Sequence, residues 1–247
     1  MMVLVLGASG ATGRRLVHEL LARGVCVRIV IRAGSEFPDA MIRHENLTLV
    51  RADFLALTED EIAQLVDGCG AVASCLGHTL SLKGIYGQPR RLVTEAVRRV
   101  YRAVERNAAQ TPIRFVLMNS TGNSNRDIPE RVSFAQDCVI RLLRLVLPPH
   151  VDNEQAADFL RTQVGPADRG FEWVIVRPDA LTDHDQVTDY RVFPSPVRSA
   201  IFDSGTTSRI NVGHFMAELI TNDATWHAWR GQMPVIYNAE SAVPQRG

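Results

Sequence analysis

The first residues that could do chemistry are the glycines of the segment GASGATG, which are Gly7, Gly10 and Gly13. Backbone N–H groups at a helix N-terminus bind phosphate, and glycine lets a pyrophosphate approach them because it has no Cβ. The segment follows an apolar run and opens a helical pattern, the context in which this spacing is specific. The alternative is a tight turn whose small residues serve packing only. The predicted dinucleotide-binding residues of this turn are Gly7, Ser9, Gly10, Ala11, Thr12 and Gly13.

Arg32 ends the second apolar run, where a NAD-selective site carries a carboxylate for the ribose 2′-hydroxyl. A guanidinium can instead pair with a 2′-phosphate, so the sequence predicts NADP as the cofactor, with NAD as the second choice. The alternative is a solvated arginine at a strand end. Asp53 and the adjacent Phe54 follow the third apolar run, where the carboxylate could accept the adenine amino group or simply cap its own loop.

Apolar runs of strand type alternate with helical patterns along the chain, which is typical of β-α-β units and a parallel sheet. We therefore expect one doubly wound α/β domain of Rossmann type over residues 1–247, with a mostly parallel sheet and helices on both faces. The predicted strands are 2–6, 25–31, 47–51, 71–75, 113–118 and 171–176.

Helix signals fill the intervals between these strands. Thr58 and Glu61 form a capping box, and the valines from Val93 to Val104 make one apolar stripe. An amphipathic helix near 130–147 interrupts the alternation as an insertion, and Asp152 is expected to cap a further helix. The rest of the chain is expected to form a small part on the substrate side.

The charge balance and the cysteine spacing exclude further classes of protein. The 27 basic and 27 acidic residues balance, which excludes a general nucleic-acid binder. The four cysteines have no zinc-site spacing, and no signal segment or membrane span is evident, so we expect a cytoplasmic protein with reduced thiols and no metal. Its expected partner is a small-molecule acceptor, with no membrane attachment, and the protein would be a monomer or a homodimer.

The motifs, taken together, resemble those of the short-chain dehydrogenase/reductase superfamily in its atypical branch of flavin reductases and redox sensors. The series comprises GASGATG, Asp53, CLG from Cys75 to Gly77, NSTG from Asn119 to Gly122, and VRPDALTD from Val176 to Asp183. The resemblance implies that Cys75, Leu76 and Gly77 line the cofactor ribose. It also implies that the backbone of Pro178, Ala180 and Leu181 faces the nicotinamide.

Within that branch the chain is most similar to the biliverdin-IXβ/flavin reductase group, which has a run like TSRINVGHFM near its C-terminus. In that group the run borders the substrate pocket, which would place Ser208, Arg209 and His214 there. The alternative is structural: an arginine paired with a carboxylate and a histidine on a helix rim.

One departure from the superfamily concerns proton transfer. Carbonyl reductases of the superfamily use Tyr-x-x-x-Lys, and this pair is absent. Its places fall near His150 and Glu154, and Ser120 or Thr121 stands at the place of the catalytic serine. His150 could act as a general acid with Glu154 fixing its tautomer, or it could be an exposed loop residue beside two prolines.

These features favour an NADPH-dependent oxidoreductase that reduces a planar acceptor, a flavin or a quinone, by direct hydride transfer. Flavin would be a substrate and not a bound cofactor, because hydride can reach it by positioning alone. A non-catalytic NAD(P) sensor is the alternative. A nucleotide-sugar epimerase fits least well.

Overall fold

The computed structural model describes residues 1–78, 81, 86–107, 111–130, 133–166, 168 and 170–241. In this part of the chain, eight strands form one sheet in the order β3-β2-β1-β4-β5-β6-β10-β8, and β7 pairs with β9 separately. All neighbours in the large sheet are parallel except β10 and β8. The strands are β1 (Met2–Leu6), β2 (Cys26–Ile31), β3 (Leu47–Arg51), β4 (Cys69–Ser74), β5 (Ile113–Met118), β6 (Phe171–Pro178), β7 (Ala180–Thr182), β8 (Tyr190–Phe193), β9 (Thr206–Ser208) and β10 (Val235–Asn238).

Helices cover both faces of this sheet and bury a separate core on each face. The predicted single, mostly parallel Rossmann-type domain is therefore confirmed, and the predicted strands agree with the observed ones to within two residues. The helices are α1 (Ala11–Ala22), α2 (Asp39–Ile42), α3 (Glu59–Val66), α4 (Leu92–Asn107), α5 (Phe134–Val146), α6 (Pro148–Phe159), α7 (Arg209–Thr221) and α8 (Asp223–Trp229).

Local signals explain where several helices begin. Thr58 caps α3 by accepting the N–H of Glu61, whose side chain accepts the N–H of Thr58 in return, as the capping box predicts. The valine stripe of α4 is fully buried against the sheet. These predictions hold because each depends on residues close together in sequence.

The start of α6 differs from the prediction. The helix begins at Pro148 and not after Asp152, because proline suits the first turn, where its missing N–H is not needed. Asp152 therefore lies inside α6, where its side chain is buried. After Phe159 the helix continues as a π-helical turn over Leu160–Val164.

Helix α5 lies in the segment near 130–147, where the sequence predicts an inserted helix. Only Gln136 and Ile140 of α5 are buried, so most of its apolar stripe is exposed. No helix among the described residues is long and apolar enough to cross a membrane.

The loop after β5, residues 119–130, is fixed by the guanidinium of Arg177 on β6. This side chain is fully buried and donates to the carbonyl oxygens of Met233 and Asn123 at 2.8 and 2.9 Å. It also donates to the Glu130 carboxylate at 2.6 Å. The loop that carries Ser120 is thus held to the sheet at two points.

Candidate active site

A cleft of about 390 Å³ opens at the carboxyl ends of β1, β4 and β5. The chain reverses its strand order between β1 and β4, and ligands of doubly wound sheets bind at such a switch point. Helices α6 and α7 close the cleft through Pro149, His150, Asn153 and Arg209. Six predicted cofactor residues line it: Gly10, Ala11, Thr12, Cys75, Leu76 and Gly77.

Two glycines of the first turn, Gly7 and Gly13, occupy places with no room for a side chain. Gly7 has φ 75°, and a Cβ on it would lie 2.5 Å from the carbonyl carbon of Cys75. A Cβ on Gly13 would lie 2.9 Å from the Cα of Ala8. Gly10 is the N-cap of α1 and has no side chain to bind the first amides, and the first turn contains no acidic residue. The turn therefore fits the pyrophosphate of a dinucleotide.

The residues predicted for the adenosine end lie at the neighbouring strand ends. Arg32 is exposed directly after β2. Asp53 accepts the N–H of Leu55 at 3.1 Å and so caps the short 3-10 helix Phe54–Ala56, as the alternative interpretation states. Phe54 buries its side chain in the core, which leaves only its backbone for a cofactor.

The two candidate hydroxyls after β5 have different surroundings. Ser120 lines the cleft. Thr121 is buried and donates its hydroxyl to Asp179 at 3.1 Å, while its N–H binds the carbonyl oxygen of Pro178. Burial raises the pKa of the Asp179 carboxyl, and the hydrogen bonds from Gly205 and Thr121 oppose this shift. Ser120 is thus the hydroxyl that a substrate could reach, and Thr121 fixes the loop.

Pro178, Ala180 and Leu181 are not among the residues that line this cleft. Ala180 and Leu181 belong to β7, which pairs in parallel with β9. Their contact with a nicotinamide stays a prediction.

His150, which the resemblance places near the position of the superfamily's tyrosine, lines the cleft and is a buried helical residue. The interpretation as an exposed loop residue is wrong, because α6 begins two residues earlier. Its Nε2 is 3.6 Å from Glu154 Oε1 and has no hydrogen-bond partner in the part of the chain that the structure describes. Burial lowers the pKa of the imidazole and Arg144 adds to this, although Glu154 raises it. His150 is therefore neutral at neutral pH.

Arg144 is a residue that sequence reasoning missed. It belongs to the last turn of α5 and donates to both carboxylate oxygens of Glu154, at 2.8 and 2.7 Å. This bidentate pair fixes the Glu154 carboxylate beside His150 and offsets part of its charge. The only signal in the sequence was a cation near the end of a predicted helix, which does not identify its partner.

His78 is the second residue that sequence reasoning missed. It follows Gly77, lines the cleft, and places Nε2 2.8 Å from Asp152 Oδ2. The sequence predicts that Asp152 caps its own helix, but its carboxylate accepts the N–H groups of Val93 and Thr94 at the start of α4. No local pattern connects these residues, so the sequence offered no signal for this contact.

The residues of the C-terminal run make the structural contacts that the alternative interpretation of this run predicts. Ser208 caps α7, Arg209 pairs with Asp183 at 2.8 Å, and His214 Nδ1 is 2.9 Å from the hydroxyl of Tyr190. Arg209 nevertheless lines the cleft as well.

A Rossmann-type sheet with a glycine-lined cleft at its switch point defines a dinucleotide-binding protein. Residues 7–223 match the family described as NAD(P)H-binding, and the chain belongs to this family. None of the curated proteins matches the chain in sequence.

Solved structures with the same fold include three that cover nearly all of the chain. A Veillonella parvula short-chain dehydrogenase/reductase in complex with NADP is 17% identical, with TM-score 0.69 and coverage of 99% of each chain. An anaerobillin reductase from Escherichia coli O157:H7 is 17% identical, with TM-score 0.66 and coverage of 97% of this chain and 98% of that one. A Streptococcus pneumoniae protein assigned as an NADH-flavin reductase is 17% identical, with TM-score 0.62 and coverage of 96% and 99%. At these identities the likeness shows the fold.

Proposed function

We propose that the protein is an NADPH-dependent reductase of a planar acceptor, a flavin or a quinone. The observation that carries this proposal is a single cleft in which the phosphate-binding turn of residues 7–13 meets Ser120 and His150. A protein that only bound the dinucleotide would not need a reachable hydroxyl and a buried imidazole in the same cleft.

Each part of the cleft has a task in this proposal. The N-terminus of α1 binds the pyrophosphate, and Arg32 pairs with the 2′-phosphate. Ser120 donates a hydrogen bond to the acceptor or to the nicotinamide amide. His150, being neutral, adds a polar contact without a charge that would repel a cationic nicotinamide. When bound, NADPH supplies the hydride.

Two fold neighbours support the choice of acceptor. One is named a reductase of anaerobillin and the other an NADH-flavin reductase. Acceptors of this kind suit a cleft without Tyr-x-x-x-Lys, because hydride transfer to a flavin depends on positioning more than on an acid.

The test measures NADPH oxidation by the purified protein with FMN, riboflavin or a simple quinone as the acceptor. The same assays are run with NADH in place of NADPH, and a control contains no acceptor. Acceptor-dependent oxidation that prefers NADPH is the expected result. Tight NADPH binding with no oxidation by any acceptor would contradict the proposal and favour a sensor that binds NAD(P) without turnover.

A further inference from the structure

The cleft contains two imidazoles that come from different elements. His78 follows β4, whereas His150 belongs to α6. Each faces a carboxylate of α6, Asp152 for His78 and Glu154 for His150. The two carboxylates have different hydrogen-bond partners, so the two imidazoles differ in their ability to donate a proton.

His150 is poorly suited to give a proton. Its carboxylate neighbour Glu154 is already bound to the Arg144 guanidinium at 2.7 Å. The imidazole is buried, and its lowered pKa keeps it neutral.

His78 contacts a carboxylate whose ionised form is stabilised by hydrogen bonds. The Asp152 side chain is fully buried, and burial alone would disfavour its ionised form. The hydrogen bonds from His78 and Thr94 and from the N–H of Val93 outweigh burial and lower the pKa of the carboxyl. Among the described residues no lysine or arginine pairs with Asp152 within 4 Å. An imidazolium at His78 would complete a buried ion pair, which is how proteins accommodate such charges.

The other polar groups of the cleft do not compete for this role. Burial raises the pKa of the Cys75 thiol to about 12, so the thiol is a weak acid. Arg209 is a permanent cation held by Asp183. The hydroxyl of Ser120 can donate a hydrogen bond but is a far weaker acid than an imidazolium.

We propose that His78 is the proton donor of this site and that its acceptors are conjugated carbonyl compounds, whose reduction creates an oxyanion. This rests on the proposed function. Hydride from C4 of NADPH adds to the electrophilic carbon of the acceptor, and the π-electron pair moves to the conjugated oxygen. The His78 imidazolium gives its proton to that oxygen, which yields a hydroxyl and NADP⁺, and His78 regains a proton from water.

The experiment compares two acceptors. FMN accepts hydride and leaves as an anion that water protonates later, whereas phenanthrenequinone forms an oxyanion directly. His78→Gln retains an N–H for Asp152 but cannot transfer a proton. We expect this variant to reduce phenanthrenequinone about 100-fold more slowly or worse, the usual contribution of a general acid. Its FMN reduction should fall far less than its phenanthrenequinone reduction, because water protonates the reduced flavin, and the variant should still bind NADPH.

His227→Gln, on the exposed face of α8, is the matched control and should behave as the wild type with both acceptors.

Equal losses with both acceptors, or no loss with either, would overturn the role of His78 and leave the proposed function standing. A wild-type protein that binds NADPH but reduces neither acceptor would overturn both proposals. If His78→Gln and His78→Asn both lose NADPH binding, His78 is structural and the proposal is wrong.

Discussion

The carboxylate of Asp152 accepts the backbone N–H of Thr94 at 2.9 Å, although the two residues lie 58 positions apart in the sequence. Its other oxygen accepts the N–H of Val93 at 2.8 Å, and the hydroxyl of Thr94 donates to the backbone oxygen of Asp152. A side chain from the middle of α6 thus provides the N-terminal cap of α4.

Replacing this cap should destabilise the protein. Asp152→Ala leaves two buried N–H groups without an acceptor, and we expect it to lower the free energy of unfolding by about 2–4 kcal/mol. Urea denaturation would measure the change. Asp137→Ala removes a surface pair with Arg141 and should cost below about 1 kcal/mol. Similar values for the two variants would contradict the capping role.

The phosphate-binding turn should not tolerate a methyl group at Gly13. A Cβ there would collide with the backbone of Gly7 and Ala8, so the turn must move away from α1. We expect Gly13→Ala to weaken NADPH binding at least about tenfold, since a misplaced turn loses charge-assisted bonds to phosphate. Titration of NADPH fluorescence would test this. At Gly170 the nearest atom to a Cβ is 3.7 Å away, so Gly170→Ala should bind normally.

Cofactor preference should depend on Arg32. Arg32→Glu places a carboxylate where we expect the 2′-phosphate, so the NADPH/NADH affinity ratio should fall about ten- to a hundredfold. Arg43→Glu makes the same charge change at an exposed residue after α2 and should leave the ratio unchanged. An unaltered ratio in Arg32→Glu would refute the assignment.

Acid should destabilise the protein through His150. The unfolded imidazole titrates near 6.5, and burial lowers the folded pKa below this value. The unfolded chain therefore binds more protons below neutral pH, and the free energy of unfolding should fall as pH drops from about 6.5 through the folded pKa. His150→Gln should flatten this slope in urea titrations between pH 7.5 and 5. His227→Gln should keep it, and an identical slope in His150→Gln would contradict the prediction.

The sequence predicted the features that depend on neighbouring residues. The glycine turn, the capping box of α3 and the apolar strands all follow from short patterns, and the structure places them as expected. Contacts across the chain could not be found in this way. Asp152 has the residue type of a local cap, and only the folded chain shows that it caps α4 and holds His78. His150 was identified as a candidate, but its burial depends on where α6 begins.

The buried guanidinium of Arg177 has one further consequence. Its charged partner Glu130 ends the loop after β5, so opening this loop would leave an unpaired charge inside the protein. Such a state is costly, about 3–5 kcal/mol when a buried pair is broken. Residues 119–130 therefore cannot fray independently of the sheet. The loop that carries Ser120 and strand β6, which carries Arg177, unfold as one cooperative unit.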